Sequence, residues 1–235
     1  MSIVSSIRDN VLVPIHPAGR PFIAIFAAIG VGLWLLWSPL WFLGVVLTLW
    51  CVYFFRNPVR TTPEREGLVV SPADGRVLSN GPVDPPAELG LPDGNWRRIS
   101  IFMNVFDVHV NRAPMAGTIR SKFYFPGMFL DASLDKASEK NERLGLVMDT
   151  DCGRTVGFVQ IAGLVARRIL CDVDQGSRLQ AGEHYGLIRF GSRVDVYVTD
   201  DAKIFALPGQ KTIAGETILA DFDDDAEPPR GGIAR

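Results

Sequence analysis

The chain has 235 residues, 47% of them hydrophobic and 21% charged, with a formal net charge of −2. That length and apolar content bury the core of one soluble domain, and the near-neutral balance excludes a general nucleic-acid binder. Cys51, Cys152 and Cys171, with His16, His109 and His184, fit neither a paired disulfide framework nor a metal-ligand spacing, and neither a Walker loop nor a dinucleotide fingerprint is present.

Residues 1–20 carry Arg8 and Arg20 among apolar positions and read as a short interfacial segment, broken at Pro14 and Pro17. Residues 21–55 contain no Asp, Glu, Lys, Arg or His. As one helix they would run to roughly 50 Å, well beyond a hydrocarbon core of about 30 Å. Ser38-Pro39 breaks the run into a hairpin of two apolar helices, 21–37 and 40–55. Each is barely long enough to span, which leaves a spanning pair and a re-entrant pair both open. Trp34, Trp37 and Trp41 cluster at the break as an interfacial belt does. Arg20 before the run, and Arg56 and Arg60 after it, put both ends on the cytoplasmic face by the positive-inside bias.

After the linker Thr61-Thr62-Pro63 the pattern is mostly β. Short strands are expected at 67–70, 98–103, 108–111, 118–125, 155–161 and 164–172, with a turn at Ser71-Pro72-Ala73-Asp74-Gly75-Arg76 and a Pro/Gly-rich loop over 81–95. The charged stretch 131–145 reads as one short helix or an ordered loop. Gln180-Ala181-Gly182-Glu183 echoes Ile213-Ala214-Gly215-Glu216, which suggests related hairpins. The expected fold is therefore mostly β, of α+β type: a β-sandwich or half-barrel domain over 60–220 behind a hydrophobic helical hairpin. Residues 221–235 turn acidic, then Pro/Gly-rich, and read as a disordered tail.

Tyr185-Gly186-Leu187-Ile188 and Val194-Asp195-Val196-Tyr197-Val198 flank Gly191-Ser192, which reads as a turn or bulge between paired strands. The dipeptide also has a chemical reading. A glycine carbonyl, with no Cβ beside it, is open to the next residue's hydroxyl when a held turn supplies the geometry. Attack by Ser192 on the Gly191 carbonyl turns the amide into an ester. Elimination breaks the chain and leaves a dehydroalanine, which hydrolyses to a pyruvoyl group. The route needs a base. His109 ranks ahead of His184 and His16. Asp74 either caps its own turn or orients a histidine.

The stretches FFRNPVR, VVSPADGRV, FMNVFDVHVNRAP, ASEKNER, QIAGLVARR and IRFGSRVDVYV together resemble the short, membrane-associated phosphatidylserine decarboxylases, over nearly the whole chain. The resemblance implies self-cleavage between Gly191 and Ser192. The products are a β chain, 1–191, and an α chain, 192–235, whose Ser192 becomes a covalent pyruvoyl cofactor, with no metal. The family's triad aspartate falls on Asp74. The first of two family histidines falls on His109 and the second on Arg112, which cannot act as a neutral base. Either His109 serves both stages or another group serves processing.

The implied reaction joins the pyruvoyl carbonyl to the amino group of phosphatidylserine as a Schiff base, releases CO₂ and frees phosphatidylethanolamine at the cell membrane. His109 returns the proton. The implied assembly is the heterodimer of the two fragments, further dimerised by resemblance only. Arg112, Lys122 and Arg193, with Lys136 and Lys140, are candidate phosphate ligands. Three other readings stand beside this one. They are the same chemistry on another serine lipid such as an archaeal ether lipid, a membrane-anchored β binding module in which Gly191-Ser192 is only a turn, and a serine hydrolase lacking its Gly-x-Ser-x-Gly elbow.

Overall fold

The computed structural model of the chain describes residues 13–133, 140–163, 168–189, 191–223 and 232–234. It divides into two compact units, Met1–Val59 and Arg60–Arg235.

The first unit is a helix pair. The imidazole of His16 accepts from the Ala18 N–H at 3.3 Å and starts a 3-10 turn, Pro17–Gly19. Helix α1 (Arg20–Leu36) follows, with a proline in its first turn, where no intrahelical N–H is needed. The backbone turns extended at Trp37, makes a second 3-10 turn at Ser38–Leu40, and continues as α2 (Trp41–Phe54). The break falls at Ser38-Pro39, as the sequence indicates. A methyl group on Gly44 would lie 2.2 Å from the Gly30 Cα, so the two glycines let the helix backbones touch. The outward faces are apolar: Leu35, Leu36 and Trp37 are 74%, 82% and 64% exposed. Pro17–Leu36 is long and apolar enough to cross a membrane.

The second unit is almost all strand. In chain order it holds β1 (Thr61–Pro63), β2 (Leu68–Val70), β3 (Gly75–Val83), β4 (Trp96–Met103), β5 (Val110–Arg112) and β6 (Gly117–Phe125). Next come β7 (Arg143–Thr150), β8 (Thr155–Ala162), β9 (Ile169–Cys171), β10 (Arg178–Leu179) and β11 (His184–Ile188). The last are β12 (Ser192–Thr199), β13 (Lys203–Ile204), β14 (Lys211–Thr212), β15 (Ile218–Asp221) and β16 (Gly232–Ala234). The main sheet runs β10-β6-β7-β8-β12-β4-β3-β14 and curls into a half-barrel. Two three-stranded sheets, β5-β11-β9 and β13-β15-β2, accompany it, and β16 pairs with β1.

The echo between 180–183 and 213–216 marks two hairpin systems of one build. The Gly182 and Gly215 N–H groups donate to Ala113 O and Ser71 O, each at 2.8 Å, and both glycines have φ near +75°. The Val70 N–H donates to Pro114 O and the Arg112 N–H to Pro72 O, a reciprocal pair. Matching register shifts fall between Val77 and Ser79 in β3 and between Ile119 and Ser121 in β6.

Two expectations change. Gly191-Ser192 does not join paired strands: β11 pairs with β5 and β9, while β12 pairs with β4 and β8. Both runs are buried on two faces, so each needs neighbours on both sides, and the intervening residues carry the chain between sheets. The stretch 131–145 lies partly outside the described residues, at 134–139, and its end, from Arg143, is strand rather than helix.

β12 lies at the centre of the main sheet. Its inward face, with Val194, Val196 and Val198, packs on Ile99, Ile101, Met103, Phe158 and Ala162 in the main core. Tyr197, on its other face, joins a smaller cluster with Trp96, Val159 and Ile161.

Candidate active site

Ser192 opens β12, opposite Met103 of β4 and Ala162 of β8, and is fully buried. Among the described residues its hydroxyl has no hydrogen-bond partner. Gly191 before it has φ +71°, a conformation that glycine adopts without strain. The Gly191 carbonyl is pressed against another glycine: a methyl group on Gly163 would lie 2.3 Å from Gly191 O and 3.1 Å from Gly191 C.

His109 reaches the N–H of Gly191. Its Nε2 accepts from the Gly191 N–H at 3.2 Å, and its Nδ1 lies 3.0 Å from the Asp107 carbonyl. With Nδ1–H donating to that carbonyl, Nε2 carries the lone pair that meets the Gly191 N–H, one peptide ahead of the glycine–serine bond, and this is the tautomer a base requires. The local sequence fixes this pose. Asn104-Val105-Phe106-Asp107 closes on itself, with the Asp107 carboxylate accepting from the Asn104 N–H and the Asn104 side chain accepting from the Phe106 N–H. His109 follows this turn, fully buried, just ahead of β5.

Two residues on, Asn111 accepts from Gln160 Nε2 at 2.8 Å and turns its own Nδ2 toward Met103 Sδ at 3.6 Å. Asn141 staples the 128–132 loop to the end of β8: it donates to Leu130 O and Ala162 O and accepts from the Leu130 N–H. That staple sits beside Ala132, whose Cβ is 3.3 Å from where a Gly163 methyl would be.

The other expected residues lie elsewhere. Asp74 pairs with Arg60 at 2.7 Å and accepts from the Ala214 N–H at 2.8 Å. Arg112 is 2% exposed and donates to Gly182 O at 2.8 Å. Burial, with the Arg60 charge, lowers its pKa to about 10, against the pull of Asp74 and Glu216. Arg193 is buried and spends its guanidinium on Asp195, at 2.5 Å and 3.0 Å, and on the Ser100 hydroxyl. Lys122 donates to Val173 O and to Asp174, both at 2.8 Å. His184 is opposite Arg112 in the β5–β11 ladder, and His16 caps its turn in the helix unit. Lys140 is exposed, and Lys136 lies outside the described residues. The structure thus brings His109, Gly191 and Ser192 together and holds Asp74 on Arg60 near Arg112.

Sequence reasoning passed over Asn111, Gln160 and Gly163, although all three lie in stretches singled out for their resemblance. A glutamine inside the apolar run Phe158-Val159-Gln160-Ile161-Ala162 was the available signal. It also passed over Arg168 and Arg189. The β9–β11 ladder continues with the Arg189 N–H on Arg168 O at 3.3 Å, so the two arginines face each other. Burial first, and then the Arg168 charge, pulls the Arg189 pKa below its ordinary value. Like charges directly opposite are destabilising, and an anion between them relieves the cost.

In chain order an apolar helix pair is followed by a half-barrel whose central strand opens on a buried serine after a left-handed glycine, and this defines a β-rich class of protein. The family model described as phosphatidylserine decarboxylase matches residues 47–220. The chain is 57% identical to a phosphatidylserine decarboxylase proenzyme of Rhodospirillum rubrum over 229 residues, 97% of each chain. It is 54% identical to that of Cereibacter sphaeroides over 222 residues, 94% of this chain and 95% of the other. It is 57% identical to that of Ruegeria pomeroyi over 215 residues, 92% and 98%. The chain belongs to the phosphatidylserine decarboxylase family.

Proposed function

We propose that the chain cuts itself between Gly191 and Ser192 and then decarboxylates phosphatidylserine to phosphatidylethanolamine. The observation that carries this reading is the His109 Nε2 on the Gly191 N–H, one peptide ahead of the bond to be cut, with the next residue a buried serine. Ser192 Oγ forms a bond to the Gly191 carbonyl carbon, and the C–N bond to Ser192 breaks. His109 takes the hydroxyl proton and hands it to the departing nitrogen. A base then takes the Ser192 α-proton as the Cβ–Oγ bond breaks and the Gly191 carboxylate leaves, which parts the chains, and water replaces the nitrogen of the new terminus, released as ammonia.

The buried position of Ser192 suits the pyruvoyl group that would form there. That group, once in place, supplies the electron sink for loss of CO₂. His109 stands where a proton must be returned to the product carbon. Arg168 and Arg189, opposite each other at the end of the β9–β11 ladder, hold the headgroup phosphate, and Arg112 with Arg60 and Asp74 braces the turn at 71–75.

The fragments stay together without a peptide bond. β12 remains between β4 and β8, and β14 and β15 remain on β3 and β2, so the piece from Ser192 onward is woven into the sheets of the larger one. The helix pair anchors the chain in the cell membrane, and the flanking arginines put the catalytic domain on the cytoplasmic face.

The test is CO₂ release from carboxyl-labelled phosphatidylserine in vesicles. The wild type releases label and yields phosphatidylethanolamine, and Ser192→Ala does neither. Label release by an uncut Ser192→Ala chain would refute the reading.

A further inference from the structure

Two buried polar atoms on the inward face of the sheet lack a partner among the described residues: Ser192 Oγ and Gln160 Oε1. Both residues are 0% exposed. Buried polar groups are nearly always paired, so two orphans in one region call for a physical cause. The β12–β8 register sets Ser192 opposite Ala162 and Val194 opposite Gln160. Ser192 and Gln160 are therefore diagonal neighbours on one face. Such positions are about 7–8 Å apart, within reach of a long side chain, and one water can complete the bridge.

The neighbours of Gln160 fix which atom it presents. Its Nε2 is committed to Asn111 Oδ1, and Asn111 Nδ2 faces the Met103 sulfur. Turning both amides over would set the Asn111 carbonyl against a thioether, which donates nothing. Turning Gln160 alone would set carbonyl against carbonyl, and turning Asn111 alone would set NH2 against NH2. Gln160 accordingly offers the interior an acceptor, and what answers an acceptor is a donor. The Ser192 hydroxyl is an unpaired donor on the same face; the Tyr185 hydroxyl, also buried and without a partner among the described residues, comes from β11 of another sheet.

We infer that Gln160, held by Asn111, is a positioning residue for self-cleavage: its Oε1 receives the Ser192 O–H, directly or through one water, and sets the hydroxyl rotamer from which attack begins. This rests on the reading of Ser192 as the nucleophile. Gln160 makes no covalent bond and keeps no proton. As Oγ closes on the Gly191 carbonyl, the hydroxyl exchanges Gln160 for His109, which takes the proton.

The experiment follows the appearance of fragment 192–235 from the full chain made by pulse-labelled cell-free synthesis. Gln160→Met keeps the length of the side chain and removes the acceptor, and the expected result is cutting slowed by tenfold or more. Gln160→Glu separates positioning from packing: protonated or ionised, its carboxyl keeps an acceptor toward Ser192, and cutting proceeds near the wild-type rate. Wild-type cutting by Gln160→Met, or cutting by Gln160→Glu as slow as by Gln160→Met, overturns the inference. If Gln160→Met fails to fold, Gln160→Glu decides alone: near-wild-type cutting supports the inference, and cutting slowed by tenfold or more overturns it. Cutting by Ser192→Ala in the same assay would instead sink the reading on which the inference rests.

Discussion

Gly163→Ala places one methyl group where the carbonyl of the proposed cleavage site already sits. The added carbon would lie 2.3 Å from Gly191 O and 3.1 Å from Gly191 C. Ordinary carbon–oxygen contacts begin near about 3.3 Å, so one partner must retreat by about 1 Å. The neighbours give little room, since Ala132 closes the other side at 3.3 Å. A displacement of that size at reacting atoms costs on the order of 10²-fold in rate, or about 2.7 kcal/mol of barrier. The assay is the half-time for conversion of full-length chain to fragments, read on a denaturing gel with mass confirmation. Gly81→Ala is the control, because nothing lies within 4 Å of its added methyl. The expectation is a roughly hundredfold slower cut for Gly163→Ala and an unchanged one for Gly81→Ala. Equal half-times for the two variants would refute the placement of the reacting carbonyl.

Three further outcomes follow from the charge pairs. Asp74→Asn breaks a largely buried pair with Arg60. It should cost about 3 kcal/mol and lower the melting temperature by roughly 6–12 °C. It should also slow cutting, and normal cutting by this variant removes Asp74 from the mechanism. Asp195→Ala strands the buried Arg193 and should cost about 3–5 kcal/mol, read by denaturant titration. The double change Arg193→Met with Asp195→Leu should recover most of that loss, and no recovery would mean the pair is not the cause. Arg168→Ala and Arg189→Ala should each raise KM for phosphatidylserine by about tenfold, since one charge-assisted bond to phosphate is worth about 1.5 kcal/mol or more. Unchanged KM values would take the phosphate elsewhere.

Much of this architecture was legible because its signals are local. A run from 21 to 55 without a charge, interrupted by Ser38-Pro39, reads directly as two apolar helices. The echo of Ala-Gly-Glu marks two left-handed glycines that make equivalent backbone bonds. The strand Arg143–Thr150 was not legible: it is buried on both faces and shows no alternation. The pairing of β11 and β12 with different sheets was hidden for the same reason, because periodicity says how a strand is buried, not beside what. Within the site, Ser192 and His109 stand out by chemistry. Gln160 and Gly163 do not, because an amide in a strand and a glycine before a loop acquire meaning only when the register sets them against Ser192 and Gly191. Arg193 looked available from its place beside the serine, but an adjacent residue on a strand points to the opposite face.

The most direct test of the account is the mass of the mature, active protein under denaturing conditions. Two chains should appear, 1–191 and 192–235, the second beginning with a blocked group that reacts with carbonyl reagents. A fully active preparation that gives one chain of 235 residues, inert to those reagents, would contradict it.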